Sequence, residues 1–169
     1  MLAAFGSDVY KIVLVLHILC AIIGFGAVML NGIYAAQARA RRGSEGLAIS
    51  EANLLVSKIG EYFILAVLLL GVVLVLIGDP VTKFDQTWIW LSIVLFVAGF
   101  SVSNLLLLPR VNRLIALQRE LIASPPSTTG PPPQVAEMER LGGQVPKFAV
   151  ALQVILITIL TLMVFKPGF

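Results

Sequence analysis

The chain has 169 residues, of which 59% are apolar and only 12% charged, and its mean hydropathy is +0.98. That charged fraction is about half the ~25% of an ordinary soluble domain, so a water-soluble globular protein is excluded. Twelve Lys/Arg against nine Asp/Glu leave a net charge of +3. In a soluble chain this excess would suggest nucleic-acid binding. Here the basic residues collect in two segments between apolar stretches, and no nucleic-acid partner is expected.

Four stretches are long and apolar enough to cross a bilayer as helices. They predict an all-α, polytopic four-transmembrane-helix bundle, a single membrane domain over 1–169. The first span covers 9–34; it is too long for a signal-peptide core, and Asp8 and Lys11 make a poor basic leader, so it reads as a retained membrane helix. The second covers 59–78 and is closed by Asp79 and Pro80. The third, 87–108, opens with Trp88 and Trp90 and is closed by Pro109. The connector 109–146 follows. Its segment 111–123 has helical apolar spacing and either extends the third helix or lies along the membrane surface. Its Pro-rich stretch 124–133 reads as a spacer rather than a helix, and "QVAEMERL" forms a short helix before Gly142 and Gly143. The fourth span covers 147–165.

The placement of charge orients these spans. Arg39, Arg41, Arg42, Lys58, Arg110, Arg113, Arg119, Arg140 and Lys147 fall on one side, whereas Lys11, Lys83 and Lys166 fall on the other. The positive-inside rule then puts the nine in the cytoplasm of a bacterial plasma membrane, with both termini and the loop 79–86 outside. Trp88 and Trp90 fall at the outer interface, where indole rings anchor well.

Polar side chains in hydrocarbon are costly and should face protein, water or a cofactor. On the first helix His17, Ala21, Gly24, Val28 and Asn31 share one face, flanked by Cys20 and Ala27. His17 lies about 12 Å below the outer end at the helical rise, and Gly71 and Thr158 come to the same depth on their own helices. Three uses of this imidazole stay open: a hydrogen bond to Thr158, Ser92 or a carbonyl; ligation of haem or copper; and proton handling. It is the only histidine, so bis-histidine haem requires a symmetric dimer or another subunit. The pair His17 and Cys20 at i, i+3 is a weak copper signal. Near the other end stand Asn31, Glu61, Tyr62 and Asn104, with Lys58 and Arg110 at a similar level. They read as an interfacial network or, more sharply, as a polar mouth for an ion, a proton or a headgroup. Gln153 is the deepest amide on the fourth span.

No Asp lies in any span, and no phosphate loop, metalloprotease histidine pair or serine nucleophile motif occurs. This argues against catalysis by the chain alone, and no catalytic residue is assigned.

The run "KIVLVLHILCAIIGFGAVMLNGIYAAQARA", the four-helix plan and "Trp-Ile-Trp" at the start of the third helix together resemble the bacterial predicted integral membrane proteins of the DUF2269 type. In general layout, 9–110 is also distantly similar to the copper-resistance D proteins and the HemJ-type protoporphyrinogen oxidases. The latter likeness implies haem b bound at His17. The chain lacks the further histidines of the copper family and any lysine internal to a span, away from its ends, where the haem family has one. The expectation is an accessory or assembly subunit in the lipid bilayer, a homo-oligomer or a partner of other membrane subunits. The alternatives are a haem- or copper-linked redox protein centred on His17 and a small channel or transporter component.

Overall fold

The computed structural model describes residues 7–41, 43–78, 84, 86–124 and 132–167. Most of the loop 79–86 and of the Pro-rich stretch 124–133 lie outside these residues, as does Arg42. The fold is all helical: α1 (Asp8–Ala40), α2 (Ser44–Ile77), α3 (Thr87–Ser101), a π-helical turn (Val102–Leu107), α4 (Leu108–Ala123) and α5 (Pro133–Phe165). Since α3, the π turn and α4 are continuous, four helices are long and apolar enough to cross a membrane.

These helices run to 33, 34, 37 and 33 residues, or about 50 Å each at 1.5 Å per residue. The hydrocarbon is only about 30 Å thick. The excess is gathered at one end, hereafter the basic end, where the turn between α1 and α2, all of α4 and the first turns of α5 carry most of the Lys and Arg. The connector is therefore largely helical. Segment 111–123 extends the third helix, and the short helix expected before Gly142 and Gly143 runs through both into the fourth span.

Pro109, expected to close the third span, is absorbed into a continuous helix, and so is Pro146. Pro109 lacks the N–H that would bond four residues back, and its ring crowds that carbonyl. The widened π turn just before it, in which Leu108 N–H bonds to Ser103 O, accommodates the defect. Pro146 lies inside α5 one turn after Gly142, where no side chain adds to the crowding.

At the start of α1, Ser7 caps the helix by accepting from the Tyr10 N–H at 3.2 Å. The α1–α2 turn is tight because of glycine. Gly43 adopts φ +74°, open to glycine at little cost, and a side chain at Gly46 would run into the Arg41 and Ala38 carbonyls.

Helices α1 and α2 form one hairpin; α3 to α5 form a second. The hairpins meet where α2 touches α4 and where α1 touches α5, and no comparable contact joins α2 to α3 among the described residues. The extension at the basic end has its own apolar core, with Leu117 fully enclosed and Ala38, Ile115 and Leu141 buried. Arg119 bridges to Glu51 at 2.8 Å and Arg113 to Glu137 at 2.9 Å, tying α4 to α2 and to α5.

Candidate functional site

The α1–α2 interface is built on small residues in one antiparallel register. A Cβ at Gly24 would meet Ile64 Cγ1 at 2.8 Å and the Gly60 carbonyl at 3.3 Å; one at Gly60 would meet the Ala27 methyl at 2.8 Å. Without a hydrophobic driving force between helices in lipid, close packing of this kind holds them together. The seam carries a polar group toward each end.

Toward the far end stands His17, 9% exposed. Its Nδ1 is buried with no hydrogen-bond partner. Gly71 makes room for the ring: a Cβ there would lie 3.2 Å from Cε1 and 3.7 Å from Nδ1. The counted depth of Gly71 thus corresponds to real proximity. Thr158 does not meet the ring. It is exposed on α5, and its hydroxyl donates to its own Val154 carbonyl at 2.8 Å. Ser92, buried on α3, likewise donates to the Trp88 carbonyl, at 2.7 Å. Cys20 is a half-buried free thiol, and Gln153 is half-buried on α5.

Toward the basic end the expected polar set resolves into separate contacts. Ser57 Oγ lies 3.0 Å from Asn31 Oδ1 and 2.8 Å from the Asn53 carbonyl, its one proton shared between the two acceptors, and so links α1 to α2. One turn deeper on α2, Glu61 Oε1 accepts from Asn104 Nδ2 at 2.7 Å. Asn104 sits on the π turn, so this bond ties the two hairpins together. Arg110 is not part of it. Its Nε donates to Gln144 Oε1 at 3.0 Å, and its guanidinium lies 4.8 Å from the Phe148 ring centroid. Tyr62 points away, 74% exposed. Ser57 and Gln144 were not expected from sequence, since neither lies inside an apolar stretch; helical spacing from Glu61 would have found Ser57 at i−4.

At the far end Trp88 donates to Gln86 Oε1 at 2.8 Å, and the Lys166 ammonium lies 5.6 Å from the Trp88 ring centroid. Trp90 is exposed. Among the described residues no group of three or more His, Cys, Asp or Glu could hold a metal ion.

No curated protein and no solved structure matches the chain. The family described as "Predicted integral membrane protein (DUF2269)" matches residues 11–167, which include every span, both hairpins and the polar contacts at either end of the α1–α2 seam. The chain belongs to this DUF2269 family of integral membrane proteins.

Proposed function

We propose that the protein is an accessory or assembly subunit of the membrane, packing against a second copy of itself or against another membrane protein. The observation that carries this reading is the state of α1. Its close contacts follow the stripe facing α2, while Gly26 and Gly32, off that stripe, have nothing within 4 Å of where a Cβ would stand. Glycine weakens a helix by about 1 kcal/mol relative to alanine. Small residues in a membrane helix are useful where another helix comes close. Native mass spectrometry of the full chain from mild detergent tests this. A discrete oligomer or a stoichiometric second subunit, lost in Gly26→Leu, is expected; a lone monomer under every mild condition overturns the reading. The same reading places the basic end in the cytoplasm and both termini outside, by the excess of Lys and Arg.

A second reading, a b-type haem or copper-linked redox protein centred on His17, is favoured by one observation, the buried Nδ1 without a hydrogen-bond partner. The fit is tight. The ring is enclosed between α1 and α2, and a porphyrin would have to part these helices to reach it. The visible spectrum of the purified protein decides: a Soret band abolished by His17→Ala supports this reading, and a colourless, metal-free preparation removes it.

A further inference from the structure

Glu61 and Lys58 stand three residues apart on α2, the spacing at which opposite charges on a helix ordinarily meet. They form no ion pair. The carboxylate turns instead to Asn104, which binds Oε1 alone. Among the described residues Oε2 has no hydrogen bond, and it is not sealed in the interior. Lys58 is exposed and has no hydrogen bond or ion pair among the described residues.

Among the described residues no ion pair joins either group to a charge on a neighbouring element. On α4, Arg110 is held by Gln144, the Leu106 carbonyl and the Phe148 ring. Arg113 is paired with Glu137 and Glu120, and Arg119 with Glu51. On α1, Arg39 folds back on the Ala35 carbonyl, and Arg41 is exposed beyond the helix end. An acid and a base that do not pair with each other therefore stand one turn apart on α2, Lys58 about one hydrocarbon thickness from the far end of that helix and Glu61 a turn closer to it. Among the described residues α2 and α3 have few contacts or none, and Lys58 is exposed on α2. Side chains on a helix lean toward its N-terminus, which for α2 is the basic end, so both charges lean toward the headgroups.

We propose that Lys58 and Glu61 form a headgroup site for a phospholipid bearing a primary ammonium, in the leaflet at the basic end. Lys58 takes the phosphate. Glu61 Oε2 accepts from the ammonium while Asn104 holds Oε1. The Cβ atoms of an i, i+3 pair lie about 5–6 Å apart, a separation that a phosphoethanolamine group spans. A choline headgroup fills the same space but has no N–H to donate, and a glycerol headgroup has no positive charge.

The test uses the full chain in detergent, with thermal unfolding followed against added phosphatidylethanolamine, phosphatidylcholine or phosphatidylglycerol, and native mass spectrometry counting retained lipid. A hydrogen-bonded charged contact contributes about 1.5–3 kcal/mol, so retention of phosphatidylethanolamine is expected to exceed that of phosphatidylcholine by about tenfold or more. Glu61→Gln, which still accepts from Asn104 and so spares the helix contact, is expected to erase that preference. Lys58→Gln is expected to weaken retention of all three lipids. Equal retention of the ethanolamine and choline lipids, or a preference that survives Glu61→Gln, overturns the proposal. Stabilisation by water-soluble phosphoethanolamine equal to that by the lipid overturns the assignment to a membrane ligand.

Discussion

Gly24 and Gly143 both lie in helix interiors, and a methyl group added to each meets opposite surroundings. At Gly24 it would press on Ile64 and on α2 backbone; at Gly143 it finds open space. Gly24→Ala is therefore expected to push α1 off α2 and destabilise by about 1–3 kcal/mol, the usual cost of overpacking. Gly143→Ala is expected to stabilise by up to about 1 kcal/mol through helix propensity. Thermal unfolding in detergent checks both, and equal effects of the two substitutions would contradict the seam described above. His17 shows how far such detail was legible in the sequence. Counting depth from the helix ends placed Gly71 and Thr158 level with the imidazole. Only Gly71 meets it, because depth is one coordinate of three and the azimuth of α5 is set by packing that no residue count contains. The split of the lower polar set into Asn31–Ser57 and Glu61–Asn104 escaped for the same reason.

Helix α4 and the first turns of α5 form a small soluble-type hairpin outside the membrane, where charge pairs take part in the packing. The hydrogen bond from Arg113, with its charge, holds the Glu137 carboxyl below the usual carboxylate range against the opposing effect of desolvation. A folded-state value below the unfolded one means that this pair's contribution is whole at neutral pH. It is lost as pH falls through the acid range toward the folded value. Glu137→Gln is expected to flatten the acid side of the stability profile and to leave the alkaline side unchanged, as read from melting temperature against pH. The third helix carries a different prediction. With Pro109→Ala the missing N–H returns, and the π turn at Val102–Leu107 can tighten; amide exchange over 102–108 is expected to slow, and faster exchange would count against this account of the turn. The four apolar windows were plain from length and hydropathy, yet the helices proved far longer than those windows. Pro109 reads as a stop when only the local rule is applied, and the amphipathic 111–123 looks the same whether it lies on a membrane or continues a helix.

The two hairpins are joined more firmly at the basic end than elsewhere. Glu51–Arg119 and Glu61–Asn104 are the polar ties between them seen among the described residues, and both draw on α2. The extension at that end, with its own apolar core, gives the molecule two unlike ends. One end rises well clear of the hydrocarbon and is rich in Lys and Arg. The other stays close to the membrane, with Trp88, Trp90 and Lys166 at its rim. Moving the basic end across a membrane would carry most of the chain's cations through it, and the insertion machinery disfavours that route. Single cysteines in a Cys20→Ala background convert this into a measurement, because Cys20 is the only native thiol. Glu45 and Thr87 are both exposed and begin helices at opposite ends. With a membrane-impermeant maleimide applied to intact bacterial cells, Thr87→Cys is expected to label at once. Glu45→Cys is expected to label only after the membrane is opened. The reverse pattern would invert the molecule and place the Lys58–Glu61 site in the outer leaflet, while equal labelling of both positions in intact cells would mean that it inserts in both orientations.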